Sequence, residues 1–213
     1  MANVHGMSAS FAAFLVASLV LALTPGPGVI YIVARTLDLG RRAGVASVAG
    51  IALGNLANAV AASAGLAAIL AVSAAAFAVV KLAGACYLIY LGLKALRARP
   101  TSTSPPLRRS SARLFRDGFL VALLNPKTAL FFAALLPQFL RPDADPMRQG
   151  VELGGVFVTV AACTDMMYVL ASAQLAAVVR RRAGPWPHGR YFTAASLIGL
   201  GLYAALLDPR TSE

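Results

Sequence analysis

Six apolar segments alternate with short polar stretches, at about residues 8–34, 45–66, 67–93, 118–140, 151–179 and 191–207. Each approaches or exceeds the roughly 20 apolar residues a helix needs to cross a bilayer core. The second and third segments are nearly continuous, with the split falling near Ser73-Ala74. The pattern predicts an all-α membrane protein of six transmembrane helices.

Segments one and four are interrupted. Thr24-Pro25-Gly26-Pro27-Gly28 lies between Leu19-Val20-Leu21-Ala22-Leu23 and Val29-Ile30-Tyr31-Ile32-Val33. Pro25 and Pro27 lack N–H donors and clash with the preceding turn, so a regular helix cannot run through them. In segment four the interruption is Asn125-Pro126-Lys127. Irregular backbone at membrane depth is tolerated only where it is buried in protein or lines a polar cavity. Both strings therefore mark a candidate binding site.

The two halves of the chain resemble each other. A shift of 101 places Pro25 on Pro126, Phe14 on Phe115, Leu19 on Leu120, Val20 on Val121 and Leu23 on Leu124. A shift of 109 places Ala62-Ser63-Ala64 on Ala171-Ser172-Ala173, Leu88-Ile89 on Leu197-Ile198, and Leu91-Gly92-Leu93 on Leu200-Gly201-Leu202. Three spans per half is an odd number, so the halves would run through the membrane in opposite senses, a recurrent transporter design. The expected organisation is a first three-helix repeat over 1–96, a basic linker over 97–116 and a second repeat over 117–213. Pro100 to Pro106 reads as a flexible connection.

Charge changes the picture only in its placement. The 213 residues are 59% hydrophobic and 13% charged, with a net charge of +11. Mean hydropathy is +0.73. The bases fall between apolar segments rather than in a stripe interleaved with aromatics, so nucleic acid is not the expected partner. Fourteen lie in the first, third and fifth connections, among them Arg35, Arg41, Arg42, Lys94 and Arg180 to Arg182; three, Arg141, Arg148 and Arg210, lie on the other side. This bias puts the basic loops in the cytoplasm and both termini outside. The apolar run from Phe11 to Leu23 has no preceding Lys or Arg and reads as a retained helix rather than a signal peptide. Cys86 and Cys163 stand alone in apolar segments and read as free, buried thiols.

Ionisable groups inside the spans are costly and point to function. Asp165 sits mid-segment with no other charge within ten residues. It would bind a substrate ammonium or carry a proton, or else pair with Lys127 or Lys81. Lys127 follows the second break and would contact a carboxylate or hold Asp165. Lys81, at the start of its segment, fits a snorkelling role as well as a site. Residues after each break begin a half-helix whose free N–H groups favour a carboxylate. Asn125 can bond freed backbone or a ligand, and Asn55 and Asn58 share one helix face, where they line the cavity or tie helices together. Gly50 and Gly54 read as close-packing positions. His5 and His188 lie outside the spans, and no nucleophile–base pair is present, so an enzyme is not expected. Neither a cofactor nor a metal is expected.

Together these residues resemble the lysine-exporter and threonine/homoserine-efflux (LysE/RhtB) family. The carriers are Thr24-Pro25-Gly26-Pro27, Lys81-Leu82-Ala83-Gly84-Ala85-Cys86-Tyr87-Leu88 with Leu91-Gly92, Gly118-Phe119 with Asn125-Pro126-Lys127, and Asp165 with Tyr168. The resemblance implies a bacterial inner-membrane exporter of amino acids or close analogues, driven by the proton motive force and often dimeric. The substrate-binding set would be Thr24, Pro25, Gly26, Pro27, Asn55, Asn58, Asn125, Pro126, Lys127 and Asp165, with Asp165 coupling protons. A divalent-cation transporter is the alternative, although it would want several intramembrane carboxylates. A membrane thiol–disulfide carrier would need cysteines beside the prolines, where Gly26 and Lys127 stand.

Overall fold

The structure, a computed structural model, describes residues 2–65, 74–97, 110–141, 144–183 and 189–206. Among these residues the regular structure consists of eight helices: α1 (Ala2–Leu23), α2 (Pro27–Leu39), α3 (Arg41–Ser63), α4 (Ala74–Leu96), α5 (Ser111–Leu123), α6 (Pro126–Phe139), α7 (Pro146–Ala183) and α8 (Gly189–Leu206). The split expected at Ser73-Ala74 and the stretch from Pro100 to Pro106 fall at or beyond the edges of the described residues.

Both interruptions form where the sequence places them. The α1–α2 pair bends by 48° and the α5–α6 pair by 51°. Each second half begins on a proline, Pro27 or Pro126, whose missing N–H costs nothing at a first helical position. Asn125 caps α6, its side chain accepting from the Lys127 N–H at 3.1 Å. Among the described residues, three helices are long and apolar enough to cross a membrane, or up to five spans if each bent pair is one. The apolar part of α8, Tyr191–Leu206, is shorter.

Two boundaries differ from the hydropathy reading in a way that matters later. α2 runs on to Leu39 rather than ending near 34, and α5 begins at Ser111 rather than near 118. Helix geometry does not stop at the first charge when that charge can be buried among neighbours.

Small residues set the helix packing. A β-carbon at Gly50 would collide with the Phe115 carbonyl, and one at Gly54 would stand 2.6 Å from the Phe119 carbonyl, so α3 and α5 run side by side in the same direction. Close packing is thus the role of this glycine pair. Gly44 meets Val169 while Gly154 meets Ala59, so α3 and α7 run antiparallel. Gly92 faces Ile198 and Ala194 on α8, and Gly201 faces Ile89 and Ala85 on α4. The two contacts interchange under the shift of 109 residues found in the sequence.

Two buried clusters flank the breaks. One gathers Tyr31, Ile32, Ile51, Leu88, Leu91 and Val169. The other gathers Phe14, Phe131, Phe132, Leu136 and Phe157, with Phe131–Phe157 ring centroids 5.1 Å apart. Large apolar side chains such as Val16, Val79, Met167 and Leu206 point outward, as they would toward lipid. The cysteines correct an expectation: Cys86 and Cys163 are free but exposed, because they sit on outward helix faces rather than in the core.

Candidate functional site: a cavity between the two helix breaks

The cavity forms where the two breaks meet. It has a volume of about 50 Å³ and is lined by Leu21, Thr24, Gly26, Gly28, Ile51, Asn55, Asn125, Lys127, Thr128, Phe157 and Asp165, among others. It is small beside the roughly 300–1,000 Å³ of drug-sized ligand pockets.

Lys127 joins the breaks. Its ammonium donates to the Leu21 carbonyl at 3.0 Å and also to the Thr24 carbonyl. These carbonyls belong to the C-terminal end of α1, where a cation is favoured by the helix dipole. A lysine ammonium has three donors, so two are used here. Gly26 leaves the room this requires: a β-carbon there would lie 3.2 Å from Lys127 Cδ.

The polar lining is held from beneath. Asn125 Nδ2 donates to Thr128 Oγ1 at 3.1 Å while its oxygen caps α6. Thr24 Oγ1 donates back to the Val20 carbonyl at 2.6 Å. Asn55 and Asp165 are both buried, and Asp165 and Lys127 line the same cavity. An unpaired charge at the bilayer centre costs roughly 2.5–3.5 kcal/mol or more, so Asp165 has to face the protein interior, as it does. No group of three or more metal-ligating side chains occurs among the described residues.

The structure therefore brings Thr24, Gly26, Asn55, Asn125, Lys127 and Asp165 to one place. Pro25, Pro27 and Pro126 shape the breaks without lining the cavity, and Pro25 instead borders a separate apolar groove with Tyr168 and Tyr203. Asn58 ties helices, donating to the Ala122 carbonyl at 2.9 Å. Lys81 is not among the lining residues. Sequence reasoning did not pick out Thr128 or Phe157. The position of Thr128, on the first turn after the second break, was the available signal.

A second polar cluster was also missed. Arg35, on α2, is 0% exposed, and none of its three guanidinium nitrogens has a hydrogen-bond partner among the described residues. Asp117, on α5, is 1% exposed and has one carboxylate oxygen without a partner. Tyr87 donates to its other oxygen at 3.2 Å.

Comparison with known proteins places this geometry in context. The profile of the LysE type translocator family matches residues 19–207. A homoserine/homoserine lactone efflux protein of Salmonella typhimurium is 35% identical over 179 residues, covering 83% of this chain and 83% of that protein. A membrane protein of Vibrio cholerae is 35% identical over 170 residues, 79% of this chain and 83% of its own. A leucine efflux protein of Salmonella choleraesuis is 28% identical over 130 residues, 60% of this chain and 61% of that protein. No solved structure matches.

Proposed function

The chain belongs to the family of LysE type translocators, and on that footing we propose that it exports amino acids or close analogues from bacteria by proton-coupled antiport. The single observation that carries the reading is the cavity in which both helix breaks meet one carboxylate, Asp165, and one ammonium, Lys127. Each charged end of a zwitterion finds an opposite charge there. The names of two relatives, a homoserine/homoserine lactone efflux protein and a leucine efflux protein, support the substrate class.

The mechanism follows from the helix ends. The substrate carboxylate meets the N-termini of α2 and α6, where free N–H groups and dipoles favour an anion. The third donor of Lys127 adds to them. Asp165 accepts the substrate ammonium, and on the return step it holds a proton instead. Asn55, Asn125 and Thr128 complete the polar lining.

The two three-helix units, 1–96 and 117–213, form an inverted pair of six spans in the inner membrane, with the basic loops cytoplasmic. The Gly92 and Gly201 contacts, exchanged by the shift of 109, support that arrangement. Rocking of one half against the other then exposes the cavity to each side in turn. A homodimer is compatible with the apolar outer surface.

Efflux of radiolabelled amino acids from cells loaded with dipeptides tests the proposal. Export of one or a few amino acids that stops with a protonophore supports it. No export of any amino acid across the panel contradicts it.

A further inference from the structure

We infer that Arg35 and Asp117 form a second, transient binding site for the zwitterionic substrate, between the central cavity and the basic-loop end of the protein. The inference rests on the exporter reading above and adds an access station to it.

The placement comes from chain direction. Arg35 lies one turn before the end of α2, next to the connection that carries Arg41 and Arg42. Asp117 lies two turns into α5, just after the basic linker. The two residues thus sit on opposing broken helices at the same end of the molecule. Tyr31 bridges those helices, its hydroxyl donating to the Leu114 carbonyl at 3.3 Å.

The chemistry comes from what is left unsatisfied. A buried guanidinium with no partner costs several kcal/mol after relaxation, and so does a buried carboxylate. Opposite charges in one cluster would ordinarily relieve that cost by pairing. Here they do not: no ion pair joins Arg35 and Asp117 among the described residues, where Asp117 instead has the exposed Arg116 at 3.6 Å. The guanidinium packs on Tyr31 instead. The ring centre lies 5.1 Å from the guanidinium, and the Tyr31 hydroxyl donates to the Leu114 carbonyl, about one turn before Asp117 on the same helix.

Each charge therefore keeps open valences. A zwitterionic amino acid supplies both missing partners at once, a carboxylate for the planar Arg35 fork and an ammonium for the free oxygen of Asp117. In this structure the Arg35 guanidinium packs on Tyr31 and Asp117 accepts from Tyr87. When the basic-loop end opens, they become the first opposite charges met on the way to Lys127 and Asp165. The cluster has no counterpart in the other half. The shift of 101 puts Leu136 opposite Arg35 and Val16 opposite Asp117, so the station serves one side only.

That one-sidedness supplies the test. Half-saturation for a transported amino acid is measured from each face of proteoliposomes holding the protein in one orientation, for the wild type, Arg35→Gln, Arg35→Lys and Asp117→Asn. Arg35→Gln and Asp117→Asn raise half-saturation about tenfold from the basic-loop face, equal to about 1.4 kcal/mol of binding. They leave the opposite face unchanged, and Arg35→Lys falls between. Circular dichroism and monodispersity in detergent check that Arg35→Gln and Asp117→Asn keep the fold. Equal shifts from both faces, or no shift, would overturn the inference. A wild type that moves amino acids without these differences overturns the station alone, whereas a wild type that moves none overturns the exporter reading beneath it.

Discussion

Lys127 and Thr24 stand 103 residues apart in the chain, yet the Lys127 ammonium donates to the Thr24 carbonyl and fastens the second helix break to the first. One side chain thereby satisfies carbonyls that the first break frees, places a cation at the C-terminal end of α1, and sets a positive charge opposite Asp165. Lys127→Met removes all three effects. It is expected to abolish transport and to lower stability by about 1 kcal/mol or less, since the acceptors it leaves are part-buried at Leu21 and exposed at Thr24. Lys127→Arg keeps the charge but brings a planar fork into a narrow space beside Gly26, and is expected to keep the fold while slowing transport. Efflux rates together with thermal unfolding in detergent separate the two.

Asp165 is the carboxylate of the cavity lining. Asp165→Asn keeps the size of the side chain and removes its charge. Proton-driven efflux is expected to stop, while exchange of substrate on both sides, which needs no net proton movement, keeps a measurable residual rate. Comparing net efflux with exchange checks this, and unchanged proton-driven efflux in Asp165→Asn would remove Asp165 from the coupling step.

Gly26 faces the stem of Lys127 at a distance that leaves no room for a methyl group without movement. Gly26→Ala is therefore expected to displace Lys127 and lower transport several-fold. Its stability cost stays within about 1–3 kcal/mol, typical of overpacking. Transport and unfolding temperature measured on the same preparation distinguish this from general misfolding.

Gly92 and Gly201 offer a test of the inverted pair. Each lets α4 and α8 approach at equivalent points, with ideal β-carbons 3.0 Å from the Ala194 carbonyl and 2.8 Å from the Ala85 carbonyl. Gly92→Leu and Gly201→Leu are expected to destabilise by similar amounts, and the double variant by less than their sum, because both act on one interface. A thermal-unfolding cycle reads the coupling.

Much of this was legible in the sequence. The two breaks were, because Pro25, Pro27 and Pro126 forbid continuous helix whatever surrounds them. Asp165 was, because a lone acid in an apolar run has to face the interior. The 109-residue shift was also visible, and the Gly92 and Gly201 contacts follow it residue by residue. Arg35 and Asp117 were not. Hydropathy ends a segment at its first charge, and the drawn ends at 34 and 118 leave each of these residues one position outside. Only tertiary packing shows that α2 and α5 continue through them and bury them completely. The division of labour between Asn55 and Asn58 was hidden for a similar reason. Both lie on α3, and it is the neighbouring α5 that turns Asn58 into a tie to Ala122 while Asn55 stays on the cavity wall.

The most direct test of the central claim is counterflow in liposomes containing only the purified protein. Vesicles are loaded with unlabelled amino acid, and uptake of the same labelled amino acid is followed in the wild type and in Lys127→Met. The account predicts transient accumulation of label in the wild type and none in Lys127→Met. Accumulation in both would contradict the placement of the substrate site at the joined breaks, and accumulation in neither would contradict amino-acid transport itself.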